Sequence, residues 1–265
     1  MGEFFTADYT GAPFQLFGPS HLIALSVIAV FNVLLIAFRR QIPQHWQVRI
    51  RYGLATLILL NEMVWHAWNW ATAQWTIQKM LPLHLCSVLV FLSAALLISK
   101  SQALYEIVYF LGIAGASQAL LTPDAGRYGF PHLRFFQIFI SHGIIVTAAI
   151  FITTVEGYRP TPRSLTRVAI RGTLYMGFVA IVNTAIGSNY LFIAHKPETA
   201  SLLDVLPPWP WYIPIIELIG LAMMCLLYAP FAWRDWRRRT GGGGKNKAPS
   251  DCMERNTWRR TATKE

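Results

Sequence analysis

Cys86 is the residue of this chain best suited to covalent chemistry, because a thiolate is both a nucleophile and an acyl carrier. It stands in Leu81-Pro82-Leu83-His84-Leu85-Cys86-Ser87, at the head of an apolar run that continues to Ile98. A buried free thiol ordinarily packs as a small hydrophobe, so what singles Cys86 out is polar company at the same depth. Ser141-His142-Gly143 is the only polar break in a run of Phe and Ile, and an imidazole beside a thiol takes its proton or lowers its pKa. Glu62, His66 and Asn69 fall at i, i+4 and i+7, which is one helix face. His66 is therefore a rival base, with Glu62 available to orient an imidazole; helical spacing does not choose between His66 and His142. Glu62, His66, His84 and His142 would suit zinc or iron by ligand type. Their spacing matches no dedicated metal motif, so no metal or other cofactor is expected.

The elements that must position these groups are membrane spans. The 265 residues are 54% hydrophobic and 14% charged, and the apolar residues come in uninterrupted runs, which predicts an all-α, polytopic membrane protein. Seven runs are long enough to cross a bilayer: 21–38, 52–70, 81–98, 104–121, 135–155, 168–190 and 211–233. The predicted organisation is an outer-surface segment over residues 1–20, a seven-helix transmembrane domain over 21–235 and a disordered basic cytoplasmic tail over 236–265. Ser20 is the expected N-cap of the first span, and Pro82 is expected in the first turn of the third. On that helix His84 and Cys86 diverge by about 200° and cannot face one point. The first span is expected to be retained, since acidic and aromatic residues (Glu3, Phe4, Phe5, Asp8) precede it and no basic leader does.

The formal charge of +10 follows topology. Arg39, Arg40, Arg49, Arg51, Lys100, Arg159, Arg163, Arg167, Arg171, Arg234, Arg237, Arg238 and Arg239 all lie on one side, and only Lys79, Arg127, Arg134 and Lys196 on the other. The positive-inside rule then puts the N-terminus outside and the C-terminus in the cytoplasm of a multi-pass cell-membrane protein. The partner of that charge is the anionic bilayer surface, not nucleic acid. Cys86, Cys225 and Cys252 sit at different depths, so no disulfide is expected.

Depth joins the candidates. With flanking charges as markers and a rise of 1.5 Å per residue, Cys86, His142, Glu62, His66 and Asn183 fall about 8 to 13 Å below the outer boundary. A polar layer in one leaflet, walled by Phe, Trp and Leu, suits an enzyme that acts on an amphiphile. Cys86 is the catalytic nucleophile candidate, with His142 and His66 as alternative bases. Glu62, His66, Asn69, His84, Gln118, Asn183, Asn189 and Tyr190 are the substrate-binding candidates, for a membrane phospholipid or a fatty-acyl substrate.

A resemblance adds to this reading. Leu81-Pro82-Leu83-His84-Leu85-Cys86, Gln118-Ala119-Leu120-Leu121-Thr122-Pro123-Asp124, Arg134-Phe135-Phe136-Gln137 with Ser141-His142-Gly143, Asn189-Tyr190-Leu191-Phe192 and Pro208-Trp209-Pro210-Trp211-Tyr212 together resemble the YwaF-type integral membrane proteins of bacteria. That family is similar to a eukaryotic acyltransferase family that remodels ether phospholipids. The resemblance implies an acyl-carrying cysteine at Cys86 with a histidine partner at His142. More distant kin, similar to androgen-induced hydrolases of branched fatty-acid esters, use threonine and histidine. Two functions stand: a lipid acyltransferase or thioester-forming hydrolase, and a non-catalytic seven-helix protein that binds or transports a lipid or solute. No inverted repeat or pair of broken helices favours transport.

Overall fold

The computed structural model describes residues 2–197 and 202–241, which form helices and no strand. A short α1 (Gly2–Phe5) precedes α2 (Pro19–Phe38), α3 (Gln44–Ala71) and α4 (Leu85–Ser99). A composite helix then runs through α5 (Gln102–Ile107), a π-helical turn (Val108–Gly112) and α6 (Ile113–Leu121). It is followed by α7 (Leu133–Thr154), α8 (Pro162–Ile186) and α9 (Tyr212–Gly241). Among the described residues five stretches are long and apolar enough to cross a membrane: α2, the composite Gln102–Leu121, α7, α8 and α9. Their outward faces fit that role. Ile23, Val27, Val30 and Val33 on α2, and Ile170, Leu174, Phe178 and Ile181 on α8, are exposed. Apolar patches of that extent are foreign to a water-facing surface, and the chain is a multi-pass membrane protein.

Two compact units divide at Tyr228 and Ala229. In the second, the last turns of α9 hold Arg237 3.8 Å over the Trp233 ring, with Arg238 and Arg239 at the negative end of the helix dipole. The helix thus continues beyond 236. The rest of the predicted tail, with Cys252, lies outside the described residues.

Within the first unit α7 is the axis, packed against α2, α3, α4, α6 and the π turn. Close approach is written into its composition: a Cβ on Gly143 would come within 3.0 Å of Ile28 on α2, and one on Gly112 within 3.0 Å of Ile145 on α7.

Three sequence expectations are corrected here. Ser20 does not cap α2; Gly18 precedes the helix, without a side-chain cap bond, and Pro19 opens it. The helix expected from Leu81 starts at Leu85, so Pro82 lies outside it and His84 is the N-cap residue with an extended backbone. The physical reason is that distant tyrosines capture the preceding backbone. Tyr190 Oη donates to Ile77 O (2.6 Å) and accepts from Leu81 N–H (2.9 Å), and Tyr175 Oη donates to Leu83 O (2.9 Å). Irregular backbone survives at membrane depth only where protein satisfies its polar groups. Because His84 precedes the helix, the helical angle between it and Cys86 does not apply. Finally, α8 begins at Pro162 with a Thr161–Ser164 capping box, which takes Arg163, Arg167 and Arg171 into the helix.

The end of the bundle remote from Cys86 is an ion-pair lattice. Glu106, 1% exposed, accepts from Ser164 Oγ (2.9 Å) and from Arg167 through both carboxylate oxygens, with Arg171 4.0 Å away. Glu156 pairs with Arg51 (3.5 Å) and Lys100 (3.3 Å). Exchanging Glu106 for glutamine leaves two arginines facing a neutral amide. We expect a loss of about 1–3 kcal/mol, below the cost of breaking a fully buried pair, because Arg167 keeps 42% of its side chain exposed. A fall in the thermal unfolding midpoint reads it; an unchanged midpoint would contradict the lattice as a stabilising element.

The N-terminal segment lies across the other end. Trp68 Nε1 donates to Phe5 O (2.7 Å), Arg127 to Ala7 O (2.6 Å) and Tyr128 Oη to the same carbonyl (3.1 Å). Ala12 O passes where a Cβ on Gly129 would stand, at 2.2 Å, so only glycine fits there. The pin is His132, the fully buried N-cap of α7. Its Nδ1 accepts from Arg134 N–H (3.0 Å), so Nε2 carries the proton and donates to Thr6 O (3.0 Å). Burial, offset by the Thr6 bond and reinforced by Arg127 and Arg134, holds the His132 pKa below the ordinary histidine value. A depressed histidine pKa contributes stability that is complete above about 6.5 and is lost as pH falls through the lowered folded value. Hydrogen exchange of residues 3–14, corrected for intrinsic rate, should therefore accelerate on acidification below about pH 6. Protection independent of pH would count against this pin.

Candidate functional site

The N-terminal ends of α4 and α7 and the C-terminal ends of α3 and α6 share one end of the bundle. There the polar layer is centred on α3 and α7. Glu62 is 5% exposed and faces His66, Oε1 to Nε2 3.4 Å, one turn along α3. His66 Nδ1 accepts from the Trp75 indole N–H (3.0 Å), which leaves Nε2 as the protonated nitrogen toward the carboxylate. Both His66 nitrogens are occupied.

His142 is arranged differently. Its Nδ1 lies 2.7 Å from Ile138 O, one turn back on α7. A carbonyl only accepts, so Nδ1 carries the proton and Nε2 bears the lone pair. Among the described residues Nε2 has no hydrogen-bond partner. Ser141 beside it is buried and bonded to Gln137 O (2.7 Å). Cys86, in the first turn of α4, is half-buried, and no hydrogen bond reaches its thiol among the described residues. Cys225 is exposed on α9.

Arg134 is the member that sequence reasoning used only as a depth marker. It is the second residue of α7 and half-buried, with its guanidinium 4.4 Å over the Trp65 ring. It donates to Gln137 Oε1 (2.7 Å) and Asp124 O (3.2 Å). Glu62, Asp124 and His142 lie within its electrostatic reach, and Asp124 also within that of His84. The signal was legible in principle: Arg134 to Gln137 is an i, i+3 pair beside a Trp-rich helix.

The remaining candidates hold loops in place. Asn69 is buried and donates to Trp65 O (2.8 Å), while its carbonyl receives Gln74 and Trp75 N–H. Gln118 bonds Thr122 Oγ1 (2.9 Å) at the exposed end of α6. Asn183 donates to Tyr190 O (2.9 Å), and its Oδ1 receives Ser188 Oγ (2.7 Å) and Tyr190 N–H (2.8 Å), closing α8. Asn189 bonds the backbone of Ala194 and His195. His84 Nδ1 receives Leu191 N–H (3.4 Å), and its ring lies 5.1 Å from Tyr190. His21, buried and bonded to Phe17 N–H and Leu120 O, pins α2 to α6.

Among the described residues no three His, Cys, Asp or Glu side chains are close enough together to hold a metal ion. An open cavity of about 520 Å³ lies at the opposite end, lined by Glu106, Glu156, Tyr158, Arg159 and Arg167. It does not bear on Cys86, since α7 spans about 33 Å between the two ends, and its two carboxylates are already paired. No curated protein and no solved structure matches the chain. The model of the TMEM164 family matches residues 16–228, most of the chain including every residue of this layer, and the chain belongs to the TMEM164 family of membrane proteins.

Proposed function

We propose that the chain crosses the cell membrane seven times, N-terminus outside, and is a lipid-directed acyltransferase or hydrolase working through Cys86 and His142. The crossings are α2, α3, α4, the composite α5–α6, α7, α8 and α9; the one-sided arginines favour the orientation. The resemblance to YwaF-type proteins and their eukaryotic acyltransferase kin supports the chemistry.

The observation that carries the reading is the difference between the two histidines. His66 has no lone pair left, whereas His142 keeps Nε2 for a proton. In the first half-reaction the Cys86 S–H proton passes to His142 Nε2, and the thiolate attacks the acyl carbonyl carbon. The ester C–O bond breaks, the leaving alkoxide takes the proton from the imidazolium, and a thioester remains. An acceptor hydroxyl, or water, then gives its proton to Nε2 and attacks the thioester carbonyl. The C–S bond breaks, and the thiolate recovers the proton.

The test is intact-mass analysis of the purified protein after incubation with phospholipid bearing an isotope-labelled acyl chain. An adduct of one acyl group, released by hydroxylamine and absent from Cys86→Ser, supports the proposal. No adduct, or one that survives the substitution, supports a binding or transport protein instead.

A further inference from the structure

The geometry points to Arg134 as the residue that binds the phosphodiester of the lipid, an inference that rests on the proposed function for the lipid's identity but not for the anion site. The argument starts from charge. A guanidinium within a membrane protein is costly unless it is neutralised, hydrated or turned toward a ligand. Arg51, a buried cation, stands 3.5 Å from Glu156. Arg167 closes both branches of its fork on Glu106. Arg134 does neither: among the described residues no carboxylate lies within 4.0 Å of it, and its two hydrogen-bond acceptors, the Gln137 amide oxygen and the Asp124 carbonyl, are neutral. The Asp124 and Glu62 carboxylates act on it only from beyond that distance, and Glu62 is turned to His66.

Those contacts also fix its orientation. Trp65 supports one face of the guanidinium, and Gln137 and Asp124 hold two of its five donors. Its Nε, which has no partner among the described residues, is not sealed in protein, unlike Nε and Nη1 of Arg51. A planar fork held on one face with open donors is the arrangement that takes two oxygens of one anion, which a lysine cannot reproduce. Phosphodiester and fatty-acid carboxylate both offer such a pair. The phosphodiester is assigned because Arg134 stands at the helix end, eight residues from His142, about 12 Å along α7. That places the anion toward the interface while the acyl ester reaches the histidine.

The experiment uses the full-length protein in detergent, titrated calorimetrically with dioctanoyl phosphatidylcholine, dioctanoylglycerol and octanoate. Wild type is expected to bind the phospholipid about 10- to 100-fold more tightly than the diacylglycerol, the range for a charge-assisted hydrogen bond. Arg134→Gln should abolish that difference, and Arg134→Lys should keep part of it. Equal wild-type affinity for the two lipids, or octanoate displacing the phospholipid at equal concentration, would overturn the assignment, and neither requires a variant to fold. A preference that survives in a folded Arg134→Gln would also overturn it. A protein that keeps the preference yet forms no acyl adduct removes the acyl-transfer reading and leaves this one standing.

Discussion

Serine in place of Cys86 is expected to lower acyl transfer by about 10³-fold or more, equivalent to at least about 4 kcal/mol of transition-state stabilisation. The exchange is nearly isosteric, and the thiol has no hydrogen-bond partner among the described residues, so the fold has little reason to respond. The chemistry does. A serine hydroxyl is far less acidic than a thiol, and the oxyester it forms is a poorer acyl donor than a thioester. The measurement is turnover of a chain-labelled phospholipid by matched preparations with equal unfolding midpoints. Retained turnover in Cys86→Ser would exclude sulfur as the acyl carrier. Cys225 on α9 serves as the control position: its substitution should leave turnover within about tenfold of wild type.

The second large effect separates the histidines. His142→Gln removes the imidazole whose Nε2 is unbonded, and should slow transfer by about 10²- to 10⁴-fold, the usual contribution of general acid–base catalysis. His66→Gln removes an imidazole already engaged by Trp75 and Glu62, and should change the rate by less than about tenfold, the equivalent of one interaction of about 1.4 kcal/mol. Equal losses in the two variants would show that hydrogen-bond occupancy is the wrong criterion. A reversed order would make His66 the base and assign Glu62 as its orienting carboxylate.

Much of this was readable from residue spacing, and the exceptions share one cause. Apolar runs predicted the helices, and the Glu62, His66, Asn69 stripe placed those groups on one face of α3. The start of α4 was not readable, because Tyr175 and Tyr190, roughly a hundred positions away, satisfy the backbone between Ile77 and Leu83. Nor was the hydrogen-bond occupancy of His66, which depends on an indole beyond the end of α3. Arg134 was read as a boundary charge because charge at a span terminus usually is one; its stacking on Trp65 depends on α3 and α7 lying side by side. The loop contacts of Asn69, Asn183, Asn189 and Tyr190 were hidden for the same reason: a polar side chain has the same appearance in sequence whatever it bonds. Periodicity reports which face a side chain takes, and remote partners decide what it does there.

The central claim is that Cys86 and His142 act on each other. The most direct measurement is the rate of Cys86 alkylation by iodoacetamide at pH 7, in protein lacking Cys225 and Cys252. With His142 accepting the thiol proton, His142→Gln should slow alkylation by more than about tenfold, while His66→Gln leaves the rate unchanged. Identical rates in all three proteins would mean that the sulfur and the imidazole do not communicate, and the account would fail.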